Sequence, residues 1–247
     1  MTSSVFKKSK SKFKDAFGKS LSDYYIYGLN YLIAERDDGF FSDAGGVKVY
    51  FNEYKDWPPR EKKALKYVKG KVLDLGCGAG RHTLYLQKKG FDVLGIDSSP
   101  LAIKVCRKRG LKKARVLDIK DLGPETGIFD TILMLCNNFG LFGDEKKAKI
   151  LLKMFLKITG KDAVIITESY DSDIGFYSEY RKFNKKKGRM PGHLRVRLRY
   201  ENYATAWFNY LRVSQNEMKI ILKGTGWKIK KIIDSKNYSY IAIIEKV

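Results

Sequence analysis

Residues 71–170 predict an α/β fold built around a doubly wound, mostly parallel sheet. Three observations support this fold class. Short apolar runs alternate with helical segments, glycines stand at the turns between them, and the chain ends in two strands joined by a tight turn. A tight turn makes its two strands antiparallel neighbours, so we expect a seven-stranded sheet whose last strand is antiparallel.

The individual elements follow from local patterns in chain order. Aliphatic and β-branched runs predict strands at 72–75, 91–96, 114–117, 129–136, 163–167, 227–233 and 240–245, the last two joined by a Lys236-Asn237 turn. Amphipathic segments that begin after proline, Ser-Pro or a Gly-rich turn predict helices between them. These predicted helices cover 59–69, 81–90, 100–110, 146–158 and 214–223.

The regions outside this alternation predict an N-terminal helical extension and an inserted β-hairpin. Residues 1–20 contain six lysines against one aspartate, which predicts a basic tail or a loosely held surface helix. The domain proper is predicted over 21–247, with an aromatic-rich cap region at 21–69 and an insertion at 171–212. In the insertion, 193–200 alternates strictly and 206–213 forms a second strand.

Composition excludes several classes of protein. The 247 residues are 44% hydrophobic, enough to bury the core of one globular domain. No apolar run reaches the roughly 18–20 residues that a membrane span needs, and the segment after Met1 is rich in Lys and Ser instead of apolar. The three cysteines have neither CxxC nor Cys/His spacing. We therefore expect a cytoplasmic protein without membrane insertion, disulfide framework or metal site.

The formal net charge of +22 leaves two interpretations open. A field of this sign attracts RNA, DNA, anionic lipid or acidic small molecules. Abundant Lys, Arg and Glu also occur in proteins adapted to high temperature. Charge alone therefore does not identify a substrate.

A Gly-rich turn marks the predicted binding site. Gly76, Gly78 and Gly80 stand where the first strand turns into a helix, so the backbone can approach a ligand at a helix N-terminus. The dinucleotide pattern needs a small residue at position 81, where this chain has Arg81. Asp97 ends the second strand, where its carboxylate can accept hydrogen bonds from both hydroxyls of a ribose.

Four segments, in this order and at these intervals, resemble the successive motifs of class I S-adenosylmethionine-dependent methyltransferases: VLDLGCGAGRH, GIDSSPLAI, ARVLDIKDL and FDTILMLCNNFG. The resemblance covers roughly residues 65–170. It implies that S-adenosylmethionine is the co-substrate, a methyl donor. It also implies positions for binding the donor: Asp74 with the backbone of Gly76, Cys77, Gly78 and Gly80 for methionine, Asp97 and Ser98 for ribose, Asp118 and Ile119 for adenine, and Asn137 beside the sulfonium.

Two of these positions have alternative roles. Asp118 is also suited to cap the short helix that begins at Ile119, and Asn137 and Asn138 are typical turn residues. Cys136 suggests a C5-pyrimidine nucleophile, but Leu135 stands where such enzymes carry proline, which favours a buried strand cysteine. The loop after the fourth strand also lacks the Pro-Pro motif of many enzymes that methylate amino nitrogens of bases or glutamine.

A narrower resemblance lies outside the core. Segments 38–41, 189–192, 207–211 and 224–227 are similar to a little-characterised prokaryotic branch of these methyltransferases, one that looks more like small-molecule than nucleic-acid enzymes. Methyl transfer from a sulfonium is an in-line displacement, so no dedicated catalytic residue is required. The candidates for the acceptor side are His82, Glu168, Tyr170 and His193, each of which also has an ordinary packing or turn role.

The row Arg195, Arg197 and Arg199 predicts either recognition of a phosphate or carboxylate or the solvated face of an edge strand. Three functional hypotheses remain. The first is methylation of a small, anionic or neutral acceptor beneath the cap and the insertion. The second is methylation of RNA or protein, and the third is a scaffold that binds the donor without transferring its methyl group.

Overall fold

The computed structural model describes residues 14–171, 178–234 and 238–247. The predictions for residues 1–13, for 172–177 of the insertion and for the Lys236-Asn237 turn lie outside this part of the chain. The α-helices are α1 (Ala16–Tyr27), α2 (Pro59–Ala64), α3 (Arg81–Lys88), α4 (Pro100–Lys108), α5 (Glu145–Phe155), α6 (Ser178–Lys186) and α7 (Gln215–Leu222).

Twelve strands are described in chain order. They are β1 (Ile33–Arg36), β2 (Phe41–Asp43), β3 (Val72–Leu75), β4 (Val93–Asp97), β5 (Ala114–Val116), β6 (Phe129–Met134), β7 (Thr159–Tyr170), β8 (His193–Tyr200), β9 (Tyr203–Ala204), β10 (Phe208–Leu211), β11 (Trp227–Asp234) and β12 (Ser239–Lys246).

Seven strands form the central sheet in the order β11-β12-β7-β6-β3-β4-β5. Strands β3 to β7 pair in parallel, whereas β12 runs antiparallel to both β7 and β11. The predicted fold class is therefore confirmed, including the reversed last strand. From β3 the sheet extends to β4 on one side and to β6 on the other. This change of direction leaves a crevice at the carboxyl ends of the strands, where ligands bind in such sheets.

Alternate residues of each strand fill the two faces of this sheet, as its period of two requires. Leu73, Ile132 and Ile165 lie in the core beneath α5 and α7, whereas Leu133 and Ile166 face the opposite side. Both faces are buried, which explains why the strands read as continuous apolar runs. The sheet thus places the crevice on a rigid base.

The cap region departs from the predicted helical extension. It contains α1, but β1 and β2 pair with each other and β1 pairs with β8, giving a second sheet in the order β10-β8-β1-β2 with β9 on β8. The predicted hairpin of the insertion is present as the antiparallel pair β8 and β10. Strand β1 was missed because four residues give too short a period to recognise and its partner lies far along the chain.

Residues 16–20, which the sequence assigns to a basic tail or a loosely held surface helix, form the first turns of α1. Asp15 caps this helix by accepting from the amide of Gly18 at 2.9 Å, and it also accepts from Ser99 Oγ at 2.8 Å. Ala16 and Ser20 are fully buried. Helix α1 is therefore packed on the N-terminal end of α4 and is not part of a tail. The sequence did not indicate this because the lysines of the segment outnumber its small buried residues.

We expect the Phe155→Ala variant to lose about 3–5 kcal/mol of unfolding free energy because the ring is fully buried and its removal leaves a cavity beside Phe142. Ile150→Ala is the matched control on the same helix, since Ile150 is 67% exposed, and should change stability by less than about 0.5 kcal/mol. Urea unfolding followed by circular dichroism measures both. Equal losses would contradict the assigned core.

Candidate functional site

The loop between β3 and α3 lies at the crevice and depends on left-handed glycines. Gly76, Gly78 and Gly80 have φ values of 70°, 55° and 84°, a region that L side chains rarely adopt. The amides of Gly76 and Cys77 both donate to Ile96 O, at 2.9 and 3.0 Å. A Cβ on Gly76 would lie 2.7 Å from Leu141 Cδ1. The loop is therefore held close to the end of β4 and has no room for a side chain at Gly76.

Asp97 fixes the loop against the next helix. Its Oδ2 accepts from the amide of Gly78 at 3.0 Å, and its Oδ1 accepts from the amide of Ser99 at 2.9 Å. The side chain is 7% exposed, and burial raises the pKa of Asp97 to about 6. Ser98, beside it, is exposed. The carboxylate thus has a defined orientation at the carboxyl end of β4.

Asp74 is the second buried carboxylate at the crevice. Its Oδ2 accepts from Thr83 Oγ1 at 3.0 Å, and no described residue donates a hydrogen bond to its Oδ1. Only 3% of the residue is exposed, and burial raises the pKa of Asp74 to about 6. At neutral pH it therefore presents a negative charge with one oxygen available to a ligand.

The end of β6 turns sharply toward the Gly-rich loop. Cys136 and Asn137 have φ values of 57° and 61°, so the strand ends at Met134, two residues earlier than predicted. Asn137 donates its amide to Glu168 Oε2 at 3.3 Å and accepts from the Tyr210 hydroxyl at 2.6 Å through its carbonyl. Consecutive non-glycine residues in this region are typical of functional sites.

Asn138 connects this turn to the Gly-rich loop. The nitrogen of its side-chain amide, Nδ2, donates to Leu75 O at 2.8 Å and to Gly76 O at 3.0 Å. Asn138 therefore has the turn role that the sequence suggested for it, because its side chain bonds to the backbone of the neighbouring loop. Asn137 keeps a buried Oδ1 that accepts no hydrogen bond from the described residues.

Aromatic residues of the cap cover the loop. Tyr50 Cδ1 lies 3.4 Å from the position that a Cβ of Gly78 would occupy, and the rings of Phe17 and Tyr50 meet edge to face at 5.1 Å. Arg109 Nη1 donates to Ala79 O at 2.5 Å and lies 3.5 Å from Tyr50 O. This arginine thereby fastens the Tyr50 segment to the loop, and burial raises the pKa of the Tyr50 hydroxyl.

Beneath this cover is a narrow cleft. It is lined by Tyr50, Asp74, Gly76, Cys77, Arg81, His82, Leu135, Cys136 and Asn138. The loop, both strand ends and the cap therefore meet in one small enclosed space.

A buried ion network joins the cap helix α2 to the start of α3. Glu61 Oε2 lies 2.9 Å from Arg81 Nη2 and 3.0 Å from His82 Nε2. Burial raises the pKa of Glu61, but the hydrogen bond with His82 and the charge of Arg81 outweigh it and hold the pKa below its ordinary value. His82, a candidate for the acceptor side, is thus engaged by Glu61 at the edge of the cleft.

The remaining acceptor-side candidates lie elsewhere. Glu168 is 2% exposed, pairs with Arg60 Nη2 at 2.8 Å and accepts from Asn137, so both its oxygens are engaged. Tyr170 packs against Tyr238, with ring centroids 6.3 Å apart. His193 begins β8, opposite Leu211, and burial lowers its pKa. None of these three candidates lines the cleft.

The predicted adenine residues lie beyond β5. Asp118 caps the 3₁₀ turn Ile119–Asp121 by accepting from the amide of Lys120 at 3.1 Å, and Lys120 Nζ lies 3.3 Å from its other oxygen. The capping role considered for Asp118 is therefore present. It leaves the adenine contact of Asp118 and Ile119 as a prediction.

The arginines of the row on β8 are each bonded to a neighbouring side chain. Arg197 and Arg199 both bond to Glu35, and they hold the pKa of Glu35 at about 2 even though burial opposes them. Arg195 Nη1 donates to Asn209 Oδ1 at 3.1 Å. Strand β8 lies between β1 and β10, so the prediction that the row lies on an edge strand is wrong. Arg197 also lies 4.7 Å from the centre of the Trp207 ring.

Three residues at the site were missed from sequence: Tyr50, Arg81 and Tyr210. The only available signal for Arg81 was its occupation of the position where a dinucleotide fold needs a small residue. Tyr50 and Tyr210 come from the cap and the insertion, and only folding brings them to the loop. No described residues form a group of three or more His, Cys, Asp or Glu that could hold a metal ion, and no described helix has the length and apolar character to cross a bilayer.

A family model described as a methyltransferase domain matches residues 72–157. A crystal structure of an S-adenosylmethionine-dependent methyltransferase from Bacteroides fragilis in complex with S-adenosyl-L-homocysteine superposes with a TM-score of 0.81 at 27% identity, covering 95% of each chain. The match therefore includes the cap and the insertion as well as the central sheet.

Curated relatives match over parts of their length. The glycine/sarcosine/dimethylglycine N-methyltransferase of Actinopolyspora halophila is 25% identical over 229 residues, which is 82% of this chain and 40% of that protein. The tRNA (uracil(54)-C(5))-methyltransferase of Pyrococcus horikoshii is 39% identical over 77 residues, 30% of this chain and 19% of that protein. The chain thus spans less than half the length of the curated relatives that it matches.

We expect the Asp74→Asn variant to be more stable than the native protein at pH 7.5 by up to about 2–3 kcal/mol. Because folding raises the pKa of Asp74 to about 6, the folded state binds this proton more tightly than the unfolded state. Ionised Asp74 therefore destabilises the fold above pH 6, and the difference between the proteins should disappear as the pH falls toward 4. Thermal unfolding between pH 4 and 8 measures it. A pH-independent difference would contradict the buried charge.

Proposed function

We propose that this chain is a class I S-adenosylmethionine-dependent methyltransferase and transfers the methyl group of S-adenosylmethionine to a small-molecule acceptor enclosed beneath the cap and the insertion. The methyltransferase domain model over residues 72–157 and the whole-chain similarity to the Bacteroides fragilis enzyme support this assignment. S-adenosylmethionine is the co-substrate of this family. The observation that carries the proposal is the Gly-rich loop at the switch point of the sheet, bound to Asp97 and roofed by Tyr50.

The residues at the crevice suit the donor. Three left-handed glycines allow backbone atoms to approach the ligand, and Asp97 presents a buried carboxylate to the two ribose hydroxyls. Asp74 keeps Oδ1 available for the ammonium group of the methionine part. In this proposal Asn137 stands beside the sulfonium, and Ser98, Asp118 and Ile119 contribute to the adenosine site.

The closure of the site supports a small acceptor. Tyr50 from the cap and Tyr210 from the insertion reach the end of β6 from two sides, and Tyr210 is hydrogen-bonded to Asn137 O. Arg197 and Arg199 of β8 share the carboxylate of Glu35 and Arg195 is bonded to Asn209, so these three guanidiniums are held within the second sheet. The similarity to the glycine N-methyltransferase also extends over 82% of the chain, well beyond the donor-binding core. An RNA or protein acceptor could reach the cleft only if Tyr50 and Tyr210 moved away from the end of β6.

The transfer itself requires alignment more than proton removal. In an in-line displacement the acceptor lone pair attacks the methyl carbon while the bond to sulfur breaks, and the sulfonium becomes a neutral thioether. His82 and Glu168, the candidates nearest to the cleft, are held by Glu61 and Arg60. We infer that the protein holds the two substrates in line and excludes water.

Methylation of RNA is the second candidate function. The net charge of +22 supports it, and a tRNA methyltransferase is among the relatives that share the core. Binding to single-stranded RNA through lysines would weaken with salt, with a slope of about −0.7 in log K against log salt concentration for each phosphate contacted. A small acceptor would show a much weaker dependence.

We expect the Asp97→Ala variant to bind S-adenosylhomocysteine at least about 100-fold more weakly, since it loses charge-assisted hydrogen bonds to both ribose hydroxyls. Isothermal titration calorimetry measures the change, and circular dichroism checks that the variant remains folded. Asp162→Ala, at an exposed aspartate of β7, is the matched control and should retain native affinity. An unchanged Kd for Asp97→Ala would exclude the ribose role.

The acceptor class is tested by incubating the protein with methyl-tritiated S-adenosylmethionine and a cell extract from the same source. We expect enzyme-dependent label in the ultrafiltrate, where mass spectrometry then identifies the methylated species. Label in RNA or protein would contradict a small acceptor and favour the second function. Donor binding without label in any fraction would favour a scaffold that binds S-adenosylmethionine without transfer.

A further inference from the structure

An open groove lies along the second half of helix α3, apart from the cleft at the Gly-rich loop. Its volume is about 280 Å³, and its other walls come from the segment 54–66 and from Phe91. No described residue lines both the groove and the cleft. The buried Trp57 packs against both, with its ring centroid 4.7 Å from that of His82 in the cleft and 5.1 Å from that of Tyr85 in the groove. Small-molecule sites usually begin at roughly 300 Å³, so the groove has room for a small ligand.

Tyr54, Tyr85 and Phe91 form an aromatic wall along this groove. The rings of Tyr54 and Tyr85 stack with their centroids 4.6 Å apart and their planes 3° from parallel. Phe91 packs against the buried residues beneath it but remains partly exposed, as does Leu65 beside it. Tyr54 is 38% exposed. The aromatic wall therefore presents ring surface to solvent, on which a planar ligand can pack.

The polar part of the lining consists of three lysines and contains no acidic residue: Lys62, Lys66 and Lys89. Lys62 Nζ lies 5.2 Å from the centre of the Tyr54 ring, and Lys89 Nζ lies 5.7 Å from the centre of the Tyr85 ring. Among the described residues, no carboxylate forms an ion pair with any of these lysines. Lys62 and Lys66 are four residues apart, a helical spacing at which like charges repel. An anion in the groove would relieve this repulsion.

The charge of the groove restricts what it can bind. The chain carries a formal net charge of +22, so a second copy would bring further positive charge against the lysines. Residues 1–13 contain four lysines and no acidic residue, so this segment is equally unsuited. An inorganic anion would engage the lysines and leave the aromatic wall unused. A planar ring that carries an anionic group would engage both.

We propose that the groove is a binding site for a nucleoside monophosphate, with the base packed on the aromatic wall and the phosphate bonded to the lysines. The phosphate of such a ligand carries about −1.5 to −2 charges at pH 7, enough to engage more than one lysine. Every base has a π face that can pack on an aromatic side chain. The volume of the groove suits one nucleotide, which favours a free nucleotide over a strand of RNA. The site lies outside the methyl-transfer crevice, and the proposal does not depend on the proposed function.

Calorimetry on the full chain with uridine 5′-monophosphate, uridine and inorganic phosphate tests the two parts of the site. We expect the monophosphate to bind at least about tenfold more tightly than either uridine or phosphate, because it alone engages the aromatic wall and the lysines together. Saturating the protein with S-adenosylhomocysteine should change this affinity less than about twofold, since the two ligands occupy different places. Displacement of the monophosphate by S-adenosylhomocysteine would place it in the donor crevice and overturn the proposal.

Single substitutions then locate the ligand. Lys66 and Lys89 are exposed, and we expect Lys66→Gln or Lys89→Gln to weaken binding of the monophosphate about 3- to 10-fold while leaving the weaker binding of uridine unchanged. Tyr54→Ala should weaken the binding of both ligands about 3- to 10-fold, because it removes part of the aromatic wall. Lys153→Gln is the matched control, since Lys153 is exposed on α5 across the central sheet, and it should change the affinity less than about 1.5-fold.

Three further results would overturn the proposal. The first is no binding of the monophosphate by the native protein, a measurement that needs no variant. The second is an equal loss of affinity in Lys153→Gln and in the groove variants, which would assign the binding to the overall charge. The third is binding of decauridylate more than about 100-fold tighter than the monophosphate, which would assign the groove to RNA. Circular dichroism checks that each variant is folded.

Discussion

The carboxylate of Asp97 connects three parts of the structure. It accepts from Gly78 in the loop after β3 and from Ser99 at the start of α4, and the Ser99 hydroxyl in turn donates to Asp15 at the start of α1. The left-handed loop, the helix of the second βα unit and the cap are thus held by one chain of hydrogen bonds. Because the carboxylate is buried and its charge is costly there, the interaction favours ligand binding over stability of the free protein.

The central sheet could be predicted from sequence because its signals are local. Val72–Leu75 of the central sheet was located to the residue, as was His193–Tyr200 of the second sheet. Errors at the ends have physical causes. The left-handed Cys136 and Asn137 end β6 early, although Cys136 continues the apolar run. The buried small residues of α1 were obscured by the lysines around them.

The site was predicted only where the motif itself carries it. The positions of Asp74, Asp97 and the three glycines follow from their places at strand ends, and their roles toward the donor remain predictions. Arg60 and Glu168 are 108 residues apart, and Asn137 and Tyr210 are 73 apart, so nothing local pairs them. The fit of Arg81 to Glu61 depends on how α2 packs, which no periodicity reveals. Sequence therefore predicts the Gly-rich loop and the strand ends of the cleft, whereas the residues that the cap and the insertion contribute depend on tertiary packing.

The second sheet has a consequence for the order of folding. Its pairing of β1 with β8, which includes the bond between Glu35 and Arg197, closes a loop of 162 residues that contains most of the central sheet. Closing a loop of this length costs conformational entropy before its contacts can compensate. Strand pairs that are closer in sequence therefore form earlier during folding. We therefore expect the central sheet to form first and the second sheet to pack on it last. The second sheet would then be the first unit to open in the native protein, and its backbone amides would exchange hydrogen faster than those of the central sheet.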